Sequence, residues 1–201
     1  MYQNDWQLGE EGTWFDGSVY ARTKAEPRVL AATSSPGLDQ LTADATPAYP
    51  ATAGLRRYVR RLLFVKPNAL LVLDDVACEA PRELELRFHT EREVQALPDG
   101  GFGARGDQAR LRLEPLTRDG VTAAAGKLTA PGQTHAGHAL VQNTVTLKTT
   151  RAAWRCATAI TWAVGAEPAR VTLGRDGDRW TFRVGGRTVV FDWATGQSSD
   201  G

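Results

Sequence analysis

The sequence is poor in the residues that usually announce a chemistry. Its two cysteines, Cys78 and Cys156, are too few for the disulfide framework of a small secreted scaffold, and two buried free thiols are expected instead. Histidine occurs only at His89, His135 and His138. A Cys-x-x-Cys pair, a Gly-rich phosphate loop and a nucleophile elbow are all missing. No apolar run is long enough for a membrane-spanning helix, and residues 1–12 carry neither the basic region nor the apolar core of an export signal, so no membrane span is expected. Charge of one sign is lacking too: 24 Lys and Arg against 23 Asp and Glu leave a net +1, which excludes bulk attraction to nucleic acid or to a membrane surface. A helical apolar period is absent throughout.

What is present is a core and a two-residue rhythm. Hydrophobic residues make up 42% and charged residues 23%, enough apolar surface to bury and close to the globular average. Over residues 82–90, Leu84, Leu86 and Phe88 alternate with Glu83, Glu85, Arg87 and His89, the pattern of a strand with one buried face. Leu111 and Leu113 repeat it against Arg110, Arg112 and Glu114, and Trp154, Cys156, Ile160, Trp162 and Val164 repeat it over 152–164. Residues 55–66 and 69–77 form two β-rich runs joined by a turn at Pro67-Asn68, and the apolar run Leu70 to Leu73 suits a central strand covered on both faces. The chain closes on a three-strand meander, 170–173, 179–184 and 187–193, whose turns are marked by Asp176-Gly177 and Gly185-Gly186. Residues 34–50 and 117–137, rich in Gly, Ala, Thr and Pro, are expected to be long loops. The fold class is therefore all-β: an antiparallel β-sandwich of stacked sheets with long loops and little or no helix. One domain over 1–195 and a disordered tail over 196–201 are expected.

The stretch RYVRRLLFVKPNALLVLDDV at 57–76, followed by LRFHT at 86–90, resembles the C-terminal region of the heparinase II/III-like polysaccharide lyases. Asp44, Tyr49 and Pro50 precede the Arg57, Arg60 and Arg61 strand, Pro67 makes its turn, Asp74 and Asp75 close the apolar strand, and Phe88-His89 end the next one, in the family's order and spacing. Members resembling this chain join an α/α toroid to antiparallel sheets and cleave uronate-containing glycans, such as heparin, heparan sulfate or alginate, by β-elimination. That resemblance implies an acidic polysaccharide as partner in the complete protein and an N-terminal α/α toroid missing here. It implies a zinc site and catalytic His and Tyr residues upstream of Met1, and hence no cofactor within this chain, zinc belonging to full-length relatives. It also implies a periplasmic or secreted location if the parent follows the family.

Within the chain, His89, Arg57, Arg60 and Tyr49 are the candidates for touching such a glycan, and no catalytic or metal residue is assigned. A histidine at a strand end can reach a sugar or act as a base, but a base needs an orienting partner and none is near in sequence, so a structural role competes. Arg56, Arg57, Arg60 and Arg61 can present a cationic patch, although some must pair with acids such as Glu83 or Glu85. His135 and His138 have the spacing of a metal pair without a third ligand. Asp74 and Asp75, as strand neighbours, point to opposite faces and cannot act as one acid/base pair; one of them is expected to pair with an arginine of the preceding strand. Trp6, Trp14 and Tyr20 can stack on sugars or cover an edge. Three functions follow, in order of preference: the β-sheet domain of a polysaccharide lyase, inactive by itself; a non-catalytic glycan-binding or structural module, free-standing or part of a cell-envelope protein; and, last, a self-sufficient lyase using His89 and a tyrosine.

Overall fold

The computed structural model describes residues 27–135 and 138–200, with the backbone alone over 129–141. The described residues form thirteen strands and two single 3₁₀ turns, Thr46–Ala48 and Ala51–Ala53. The strands are β1 Arg28–Ser34, β2 Leu38–Asp44, β3 Leu55–Val65, β4 Ala69–Thr90, β5 Val94–Ala96, β6 Phe102–Arg105, β7 Ala109–Pro115, β8 Thr122–His135, β9 His138–Val164, β10 Val171–Asp176, β11 Arg179–Val184, β12 Arg187–Asp192 and β13 Gln197–Asp200. All pair antiparallel. The large sheet runs β1-β2-β3-β4-β9-β7-β6-β5, with β8 also on β9, and the small sheet runs β10-β11-β12-β13. The antiparallel sandwich read from the alternation is the fold observed. Among the described residues no helix is long and apolar enough to cross a membrane.

Two double-length strands organise the large sheet. The runs expected separately at 69–77 and 82–90 join into β4, and β9 extends well before the expected 152–164. Their ladder runs from Ala69↔Thr161 to Ala77↔Ala153, shifts register, and resumes from Arg82↔Arg151 to Thr90↔Asn143. Pro81 falls inside that irregularity, where a missing N–H removes no ladder bond. β3 borders the first half of β4 and β8 the first half of β9.

One face of the large sheet meets the small sheet. Leu63, Leu71, Leu73 and Ala159 interlock there with Phe182, Val189, Phe191 and Trp193. Trp193 stands edge-on to Trp180 and Phe191, at ring separations of 5.1 and 5.0 Å, the geometry that the aromatic quadrupole favours. A second cluster forms on the other face, where Leu86, Val145 and Leu147 meet Phe102, Leu113 and Trp154. Cys78 and Cys156 lie in it as buried free thiols. The meander turns are as expected: Gly185 and Gly186 hold φ of 55° and 82°, the paired left-handed geometry of a tight hairpin.

Four expectations are corrected. The 34–50 segment holds β2, whose inward Gln40 and Thr42 disguise its buried face as polar. The 117–137 segment holds β8, whose small residues show no alternation; its ladder to β9, from Thr122↔Lys148 to Thr129↔Val141, makes it a strand. The supposed tail contains β13, paired with β12 and tied to the large sheet by Ser198 Oγ donating to Gln40 Oε1 at 2.5 Å. Arg112 and Glu114, assigned to a solvent face, are instead buried beneath the small sheet, and the guanidinium forks onto Glu114 (3.2 Å) and Asp99 (2.9 Å). Trp6, Trp14 and Tyr20 lie outside the described residues, as do the side chains of His135 and His138.

The core at Phe182 is fully enclosed, whereas Val164 is 73% exposed. Phe182→Ala is expected to cost about 3–5 kcal/mol in a denaturant titration, and Val164→Ala less than about 0.5 kcal/mol.

Candidate functional site

Strand alternation sends the adjacent carboxylates of β4 to opposite faces, and each builds its own cluster. Facing away from the small sheet, Asp74 is 1% exposed and accepts a fork from Arg60, Nε to Oδ1 at 2.7 Å and Nη2 to Oδ2 at 3.1 Å. The β3–β4 register sets Arg60 directly across from Asp74. Tyr58 neighbours the same carboxylate, Arg60 stacks 5.6 Å over its ring, and Tyr49 lies against it at 5.9 Å. Burial pushes Asp74 above the ordinary carboxylate range, with Arg60 and Tyr58 pulling it back. Burial likewise pushes Tyr58 and Cys156 far up, so neither supplies a phenolate or thiolate at neutral pH.

Facing the small sheet, Asp75 accepts from Arg57 at 2.9 Å, with Arg155 Nε at 3.8 Å. Arg155 also donates to Asp178 at 2.6 Å and sits 5.2 Å over the Trp193 ring. Both aspartates thus pair with β3 arginines, where one was expected to. Glu83 and Glu85, proposed as arginine partners, instead meet Lys148 at 3.6 and 3.4 Å, and Glu85 also accepts from Arg87 at 2.6 Å.

The four candidate residues therefore do not converge on one site. Tyr49 and Arg60 share the Asp74 cluster, Arg57 is on the opposite face, and His89 lies near the far end of β4. His89 is exposed, stands across from Thr144, and has no hydrogen bond or ion pair among the described residues. No group there orients it as a base. Arg61, read from the sequence only as one of a patch of arginines, and Trp193, which was not read as a functional residue, carry N–H groups between the sheets that lack a partner among the described residues. Their burial depends on which face the small sheet covers, and alternation alone does not reveal that.

Residues 7–198 match the family model described as heparinase II/III-like, C-terminal. The chain belongs to the heparinase II/III-like family. Its fold matches the heparan sulfate lyase HepC from Pedobacter heparinus at TM-score 0.67 and 14% identity, covering 100% of this chain and 31% of that one. It matches a structure of heparinase III at TM-score 0.66 and 15% identity, covering 84% and 27%, and the heparinase III BT4657 gene product at 0.66 and 14%, covering 92% and 29%. The chain thus spans less than a third of the length of each, and at such identities the likeness establishes the fold alone. No curated protein sequence matches it. Among the described residues no three His, Cys, Asp or Glu side chains gather as metal ligands.

Removing Arg60 strands a buried carboxylate. Arg60→Met is expected to cost about 3 kcal/mol at neutral pH, and Arg57→Met, at a guanidinium 47% exposed, about 0–1 kcal/mol. Asp74, with its raised folded pKa, lends stability below the ordinary carboxylate range and loses it as pH climbs through the raised value. Without Arg60 that value rises further. The stability gap between wild type and Arg60→Met should widen from about pH 3 to about pH 7 in urea titrations, and a constant gap would refute the ion-pair account.

Proposed function

We propose that this chain is the β-sandwich body of a polysaccharide lyase, supporting β-elimination of a uronate-containing glycan whose reacting groups stand on other domains of the parent protein. Support comes from the family match over 7–198, together with the disposition of the chain's own titratable groups. The reaction needs a base to take the proton α to the uronate carboxylate, an acid to protonate the departing glycosidic oxygen, and positive charge to stabilise the enolate-like intermediate. Asp74 is enclosed and forked by Arg60, Tyr58 is held protonated, and His89 stands without an orienting partner among the described residues. Cationic groups are what the sandwich offers: Arg57 and Arg155 are both close to half exposed beside Asp75. A guanidinium fork suits the carboxylates and sulfates of an acidic glycan, and the heparan sulfate lyase among the structural neighbours is in keeping with that class.

Incubated with heparan sulfate or alginate, the purified chain is expected to generate no unsaturated uronate absorbing in the ultraviolet, with His89→Ala giving the same result. An ultraviolet signal from wild type that disappears in His89→Ala would show a self-sufficient lyase and defeat the proposal. Sequencing the DNA upstream of the Met1 codon is the complementary measurement. An in-frame region encoding toroid helices and a His-Asn segment is expected, whereas its absence favours the non-catalytic glycan-binding module.

A further inference from the structure

Four buried side-chain nitrogen or oxygen atoms lack a hydrogen-bond partner among the described residues, and three of them belong to one seam: Nε and Nη1 of Arg61, and Nε1 of Trp193. Arg61 lies on the β3 face that meets the small sheet, across from Thr42 on β2 and Leu73 on β4. Its guanidinium carbon stands 5.4 Å from the centre of the Phe191 ring and 5.2 Å from that of Trp193. Stacking occupies the flat face of a guanidinium, while its hydrogen-bonding capacity lies at the edge. The edge of Arg61 is left without an acceptor.

The neighbouring acceptors are engaged elsewhere. Asp75 binds Arg57 and Arg155, and Arg155 turns also to Asp178. Gln40 uses its amide on the carbonyl of Gly196 at 2.8 Å and its oxygen on Ser198. Gly196 lies against the same guanidinium: a Cβ added there would sit in ordinary contact with it, 3.8 Å from Nη2 and 3.9 Å from Nε. Burial, then the charges of Arg155 and Arg57, push the Arg61 pKa down against the opposing pull of Asp75. A water molecule can accept from these N–H groups, but it leaves three guanidiniums in the seam with fewer carboxylates between them. An oxyanion satisfies both the donors and the charge.

We propose that the edge of Arg61, with the indole N–H of Trp193 beside it, is an anion-binding point at the seam between the two sheets, taking a single sulfate or carboxylate group. This is a binding role distinct from catalysis, and it stands whether or not the parent protein is a lyase. The group can be a free ion or a substituent on a glycan, and the chemistry of recognition is the same.

The test titrates the full chain with sodium sulfate against sodium chloride at matched ionic strength, reading tryptophan emission and unfolding temperature. Matched salts and a control variant, Arg56→Met at an exposed arginine, separate a site from the general stabilisation that sulfate gives any protein. Wild type and Arg56→Met are expected to show the same saturable response. Arg61→Met, which keeps an apolar stem over the rings, should weaken it about tenfold or more, the effect of losing charge-assisted hydrogen bonds. It should also unfold at or above the wild-type temperature in chloride, because it removes a partly buried cation whose Nε and Nη1 lack acceptors among the described residues. Trp193→Phe and Arg61→Lys, which keep the ring and the charge respectively, should weaken the response by smaller factors and serve if Arg61→Met does not fold. Parallel arms with a sulfated oligosaccharide and an unsulfated uronate oligosaccharide identify the source. Tighter saturation by either points to a glycan substituent, and saturation by inorganic sulfate alone points to a free ion. A wild-type response no different from chloride, the result for a bridging water only, overturns the proposal, as do unchanged midpoints in the Arg61 and Trp193 variants.

Discussion

The ladder between β4 and β9 is the constraint on which the remaining structure depends. These strands pair along nearly their whole lengths, with one irregularity between Ala77 and Arg82. A slip of one residue would turn every side chain to the other face, exchanging the Leu71 and Leu73 row for the Val72 and Asp74 row. Register is therefore set by burial on both sides: Leu71 and Leu73 belong under the small sheet, while Val76 and Cys156 belong to the second cluster. The other strands of the large sheet extend from this pair, and the small sheet finds its place through the apolar row that the pair presents.

The same alternation governs the charges. Two aspartates adjacent in sequence share no chemistry because the pleat sends them apart, and each is matched by an arginine two positions or less from its register partner on β3. A carboxylate as enclosed as Asp74 is tolerated because the Arg60 guanidinium forks onto both of its oxygens. The consequence is that the two adjacent carboxylates of β4 are each occupied by an arginine. Reactive capacity is tied up on the Asp74 face, while the seam beside the small sheet retains cationic donors in excess.

A body of this kind suits a protein whose chemistry is divided between domains. Stacked antiparallel sheets give a stiff surface with positions held by long-range ladders, and loops or other domains can bring reacting groups to it. Membership in the heparinase II/III-like family places the chain among proteins about three times its length in the solved examples.

Much of this was legible from the residues alone. Strict alternation at 82–90, and the Asp-Gly and Gly-Gly turns of the closing meander, identified strands and hairpins because side-chain period and positive φ are local properties. The family's Arg-rich strand and its Asp-closed partner were legible too, and so was the separation of Asp74 from Asp75. By contrast, β8 and β13 have no apolar rhythm and exist because a neighbouring strand accepts their backbone groups. The burial of Arg112 and Glu114, and the enclosure of Nε and Nη1 of Arg61, were equally hidden, since alternation shows that two faces differ but not that a second sheet covers the polar one. Which backbone finds a partner, and which charge loses water, are decided by residues distant in the chain, and those are settled only when the sheets come together.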